Sequence, residues 1–122
     1  MTLQELYQNI DGNYDHAVQI MRMEKLIARY ISKFPNSGVN EALQDAGKTL
    51  EPAKMFETAH AMKGVCANMG LDKLSAAAGE ICEEFRPGNA RGISDDEIRA
   101  KLAEVDAMYR RTIEGIHAYE QQ

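Results

Sequence analysis

The stretch FETAHAMKGVCANMG, Phe56–Gly70, decides how this chain is read. Placed on a helical wheel at about 100° per residue, Met55, Ala59, Met62, Val65, Cys66 and Met69 fall on one apolar arc. The centre of that arc lies about 150° from His60 by the same geometry. The spacing therefore predicts an amphipathic helix with His60 on its solvent face. Phe56, Glu57, Lys63, Gly64, Ala67 and Asn68 share that face. Pro52 suits the first turn, where its missing N–H costs nothing, and Gly70 suits the end.

The wet face carries chemistry that helix stability does not ask for. A glycine inside a helix costs about 1 kcal/mol against alanine, so Gly64 needs another reason. One turn after His60, it removes a side chain where something must come close. Lys63, three residues after the histidine, can set an ammonium beside whatever the imidazole carries. Phe56, one turn before it, adds an apolar ring. Alone, each has a plain explanation: a solvated His, a Gly for packing relief, a Lys by chance. Together on one face they suit an anion carried on histidine and read by a partner protein.

Outward from this helix, every long segment repeats its apolar residues at helical spacing and none alternates like a strand. Leu3, Leu6 and Ile10 predict a short opening helix that stops at Asp11-Gly12-Asn13. Tyr14, Val18, Met21, Ile27, Tyr30, Ile31 and Phe34 mark helical sequence to Pro35, with a possible break near Met23. Ser37 is the expected cap of the next helix, with Val39, Leu43 and Ala46 inward and Gly47 near its end. After Gly70, the stripe Leu71, Leu74, Ala78, Ile81 and Phe85 predicts another helix, followed by a loop over residues 87–92. Ser94 and Glu97 form a capping-box pattern before a last helix striped by Ile98, Leu102, Val105, Tyr109, Thr112 and Ile116. The short connections favour antiparallel neighbours. The expected fold is all-α, an antiparallel up-down four-helix bundle with additional N-terminal helical segments, and one domain over residues 1–122.

Composition narrows the function. The chain has 122 residues, 44% hydrophobic and 7% aromatic with no Trp, so its core is aliphatic. A net charge of −5 argues against general nucleic-acid binding, which needs a basic face. No apolar run approaches the ~20 residues of a membrane span, and the first residues lack the pattern of a signal peptide. Two cysteines without close spacing fit a reducing compartment, so the cytoplasm is the expected location.

At this point the residues resemble a family. AHAMKGVCANMGLDKL is similar to the signature of histidine-containing phosphotransfer (HPt) domains of multistep phosphorelays, which carry A-H-x-[LM]-K-G, a second Gly six residues on, and a Leu four beyond it. Here these are Ala59, His60, Met62, Lys63, Gly64, Gly70 and Leu74. Met62 stands where Leu is commoner, a volume-conserving change in a core. The likeness extends more loosely from about Gly12 to Ile116. It implies that His60 accepts a phosphoryl group from an aspartate of a receiver domain, such as that of a hybrid histidine kinase. The group would then pass to the receiver of a response regulator. Lys63 would offset the phosphoryl charge, Gly64 would leave room for the receiver, and Phe56, Ala67 and Asn68 would lie on the docking surface. The resemblance implies no kinase activity and no ATP site. Mg²⁺ would sit on the partner receiver, with no cofactor or metal ligand on this chain. A free-standing monomer, away from nucleic acid and membrane, is the simplest expectation. Residues 54–73 hold Lys54, Lys63 and Lys73 against Glu57 and Asp72, a local excess of one positive charge that suits an acidic partner.

Two other classes compete. Di-iron bundles use Glu-x-x-His on two helices, and this chain has Glu57/His60 and Glu114/His117. Both pairs are expected to face solvent, whereas a metal pair must face the core. A docking or adaptor bundle without chemistry would use Phe56 and Ala67 equally well, but has no need of the histidine. Cys66 and Cys82 fall on core stripes at different levels, so no bridge is expected. His16 carries no readable motif.

Overall fold

The computed structural model describes residues 1–122, and its regular elements are all helices, without a strand. Thr2 opens α1 (Leu3–Asn9) with a capping box: its hydroxyl accepts from the Glu5 N–H and the Glu5 carboxylate accepts from the Thr2 N–H. Asn13 caps α2 (Tyr14–Met21). The expected break falls at Arg22, which takes a left-handed φ of 70°, and α3 (Glu24–Lys33) follows. A 3₁₀ turn at Phe34–Asn36 absorbs Pro35.

One expected cap is corrected. Ser37 does not cap α4 (Val39–Ala46); Gly38 stands at that position with a φ of 76° and no side-chain hydrogen bond. The turn needs a left-handed residue there, and that backbone demand outweighs the serine's capping preference. Glu51 caps α5 (Pro52–Asn68), its carboxylate accepting from the Ala53 and Lys54 N–H groups at 3.1 and 2.9 Å, with Pro52 first in the helix. The expected Ser94–Glu97 capping box opens α7 (Asp95–Glu120).

The joint between α5 and α6 (Asp72–Glu84) positions everything that follows. The Leu71 N–H reaches back to the Cys66 carbonyl and the Gly70 N–H to that of Ala67, at 2.9 and 3.1 Å. This paired closure needs a left-handed residue between the two helices, and Gly70 supplies it with a φ of 71°. A Cβ at Gly70 would lie 2.6 Å from the Asn13 carbonyl oxygen, so the turn also needs the missing side chain for close approach.

The N-terminal helices clasp this turn. The Asn13 N–H donates to the Gly70 carbonyl at 2.7 Å, and the buried Tyr7 hydroxyl donates to the Met69 carbonyl at 2.7 Å. Asn13 and His16 both reach the Asp72 carboxylate, at 3.0 and 2.7 Å. His16, unreadable in sequence, is therefore part of a clasp across the end of α5.

The longer-range pairings run in opposite sequence order. Asn40 meets Asp106 and Gln44 meets the Leu102 carbonyl, so α4 lies antiparallel to α7. Lys101 pairs with Glu80 while Glu84 accepts from Gly92 and Ile93, so α6 and α7 are also antiparallel. With the α5–α6 hairpin this gives an up-down order over α4–α7. One buried cluster draws on every helix, including Leu6 and Tyr7 of α1, Ile27 and Ile31 of α3, and Met55 and Met62 of α5. No helix is long and apolar enough to cross a membrane.

Candidate functional site

The α5 wheel turns as its sequence requires. Met55, Ala59, Met62, Cys66 and Met69 are buried, while His60, Gly64 and Asn68 are exposed and Phe56, Lys63 and Ala67 are half-buried. His60 thus stands on the outer surface, midway along a helix held at both ends.

Its imidazole is held on two sides. The Phe56 ring lies nearly parallel to it, 18° between planes and 5.7 Å between centroids. On the ring's edge, Nδ1 faces the buried Cys82 Sγ of α6 at 3.9 Å. Nδ1 is thus the ring nitrogen turned towards α6.

The hairpin register explains these neighbours. Residues earlier in α5 meet residues later in α6, so Phe56 meets Arg86, His60 meets Cys82 and Lys63 meets Gly79. The Arg86 guanidinium lies 5.5 Å from the Phe56 centroid, a cation–π contact, and is held by Glu83 at 2.6 Å. That pairing raises the Arg86 pKa and holds the Glu83 carboxyl below its usual range. The Lys63 stem runs across α6 above Gly79, where an added Cβ would lie 3.4 Å from its Cδ. The Ser75 hydroxyl donates to the Lys63 carbonyl at 2.9 Å and fixes the two helices at this level.

Lys63 enters no salt bridge, so its ammonium is available to an incoming anion. Around Gly64 the space is open: an added Cβ would meet nothing within 4 Å. The glycine is therefore not relieving an internal contact.

The exposed face continues past Asn68 into an open apolar groove of about 420 Å³, lined in part by Ile20, Tyr30, Phe34, Val65 and Met69. Tyr30, placed on the apolar stripe by its spacing, is 50% exposed, and Ile20 is 41% exposed. Sequence reasoning missed this groove, and also missed Arg86 and Cys82 as neighbours of His60.

The competing arrangement is not built. Glu57, His60, Glu114 and His117 do not face the core, and no three His, Cys, Asp or Glu side chains gather in a geometry that could hold a metal ion. Cys66 and Cys82 are both free and buried. Burial pushes the Cys66 thiol up to about 12.

The site can offer one nucleophilic nitrogen, one unpaired cation beside it and clear access. The only side-chain hydrogen-bond contact of the imidazole is with Cys82 Sγ, and no carboxylate stands beside it as in a self-contained triad. No curated protein and no solved structure matches the chain. The family model of the Hpt domain matches residues 2–114.

Proposed function

We propose, from the premise that this chain belongs to the Hpt-domain family, that His60 is the residue through which it relays phosphoryl groups. Members of the family are histidine phosphotransfer intermediates of phosphorelay signalling rather than kinases. The observation that carries the residue assignment is the exposed His60 imidazole on α5, with open space at Gly64 and an unpaired Lys63 alongside.

The reaction is a displacement at phosphorus. A receiver presents an aspartyl phosphate, and the Nε2 lone pair of neutral His60 forms the N–P bond as the aspartyl O–P bond breaks. The carboxylate leaves with the bonding electrons, and the imidazole keeps its Nδ1 proton. Reversal on a second receiver returns the group to an aspartate. Lys63 offsets the charge gained on the chain, roughly −1.5 to −2 by analogy with phosphorylated hydroxyl side chains. Mg²⁺ and the acidic residues around it belong to the receiver in this scheme, and no step requires a metal on this chain.

Gly64 leaves room for the receiver's active-site rim. Phe56, Ala67 and Asn68 form the surrounding docking surface, with the apolar groove beyond Asn68 extending it. The chain would act as one unit over residues 1–122, as a monomer in the cytoplasm, between the receiver of a hybrid histidine kinase and that of a response regulator.

The test is transfer from a purified phosphorylated receiver. Label should leave the receiver and appear on this chain as acid-labile, base-stable phosphate. Label that stays on every receiver tried, while a known phosphotransfer domain accepts it, would count against the reading.

A further inference from the structure

Beneath the histidine lies a buried thiol that the transfer scheme leaves without a role. Cys82 comes from α6, is fully buried, and points its sulfur at His60 Nδ1 from 3.9 Å. Phe56 covers one face of the same ring. Between them, these contacts fix both the plane of the imidazole and the edge that it turns inward.

We propose that Cys82 is a positioning residue for phosphoryl transfer, its sulfur accepting the Nδ1 proton of His60 and keeping the Nε2 lone pair outward. The inference rests on His60 being the phosphoryl acceptor. In neutral imidazole one nitrogen carries the proton and the other the lone pair, and the tautomer follows what each nitrogen touches. A nucleophilic Nε2 requires the proton on Nδ1, and Cys82 Sγ is the only side-chain hydrogen-bond partner there.

The charge state of the sulfur fits this role. Burial raises the thiol's pKa, and the Arg86 and Lys63 charges only partly oppose that. Cys82 therefore stays a neutral thiol near neutral pH. A thiolate would hold the Nδ1 proton strongly and leave a buried charge beside the site. A neutral sulfur accepts weakly from Nδ1–H when its own S–H is turned elsewhere, and orients the ring without a buried charge. The phosphorylated ring keeps the same contact for as long as Nδ1 holds its proton.

The experiment compares the full-length chain with Cys82→Ala and Cys82→Ser, each checked for folding by circular dichroism and thermal unfolding. ¹⁵N resonances of His60 report its tautomer. Phosphoramidate, a small donor that needs no docking surface, reports the rate of uptake, and ³¹P spectra report which nitrogen is labelled. The wild-type chain should show the Nδ1–H tautomer and label on Nε2. Cys82→Ala should shift His60 towards the Nε2–H tautomer and let some label appear on Nδ1. Its uptake should slow about two- to fivefold, as loss of one weak sulfur contact implies. Cys82→Ser, which keeps an acceptor, should restore tautomer and labelled nitrogen.

An unchanged tautomer in folded Cys82→Ala overturns the inference, whether or not uptake slows, because slowing alone would reflect packing. Failure of Cys82→Ser to restore the tautomer overturns it as well. His60→Gln, run alongside, keeps the two claims apart. If that variant is still labelled, the acceptor assignment falls; if it is not, an unaffected Cys82→Ala removes the role of the thiol alone.

Discussion

The rings of His60 and Phe56 lie 18° from parallel with their centroids 5.7 Å apart, one helical turn from each other on the outer face of α5. The aromatic ring that looked like a docking residue therefore also touches the nucleophile. Arg86 covers part of the same ring from beyond the end of α6, so Phe56 links the end of that helix to the imidazole.

Phe56→Ala should weaken transfer through both routes. Aromatic pairs contribute about 1 kcal/mol beyond area burial, which corresponds to about a fivefold slower transfer. Phe56→Leu keeps apolar surface but no stacking. If docking alone matters, Leu should restore the rate; if stacking matters, it should not. Transfer rates at subsaturating and saturating receiver separate the two.

Gly64 gives the access test. With nothing within 4 Å of an added Cβ, Gly64→Ala should raise stability by about 1 kcal/mol through helix propensity. Gly64→Leu should fold as well and yet block transfer from a receiver, because its side chain enters the space the receiver must occupy. Urea unfolding and transfer assays on the same samples check both halves. Normal transfer by Gly64→Leu would remove the reason given for the glycine.

Gly70, the second glycine of the motif, should behave oppositely. Its φ is left-handed, and an added Cβ would lie 2.6 Å from the Asn13 carbonyl oxygen, which leaves no room for alanine. Gly70→Ala should lose about 2 kcal/mol or more, from backbone strain and displacement of α2 together. Tyr7→Phe, which leaves the Met69 carbonyl without its buried donor, should lose about 1–3 kcal/mol. Urea midpoints read both. An Ala substitution tolerated at Gly70 would show that the turn relaxes at little cost.

How far the sequence carried these points differs by residue. The inward face of α5, the capping box at Ser94 and the helix stop at Gly70 were legible because each depends on local spacing or a local cap. His60 facing solvent followed from the same wheel. Arg86 and Cys82 were not recognised beside the site, although a signal existed. Cys82 lies about as many turns after Gly70 as His60 lies before it, so folding the hairpin in register brings them level. The partner of His16 was out of reach, since Asp72 is distant in sequence and no local pattern joins them. Tyr30 fits a core stripe by period, and period alone does not separate a core face from the lining of an open groove. Ser37 misled for a different reason: the backbone needed a left-handed residue, which a capping preference does not report.

Lys63 separates charge from nucleophile. It lies half-buried with no acidic partner, and exposed charge pairs contribute up to about 1 kcal/mol. Lys63→Ala should slow transfer, or shift its equilibrium towards the receiver, by about tenfold or less. Raising the salt should narrow the gap between Lys63→Ala and wild type, because ions screen exposed charges. Complete loss of labelling in the folded variant would show that Lys63 does more than offset charge. A gap indifferent to salt would point to docking or packing.

The most direct measurement is the location of the phosphate itself. Wild-type chain and His60→Gln are each incubated with a phosphorylated receiver, and the labelled peptide is identified under conditions that preserve phosphohistidine. Label on His60 in the wild-type chain and none in a folded His60→Gln protein is the predicted result. Label that persists in His60→Gln, or maps to His16 or His117, would contradict it.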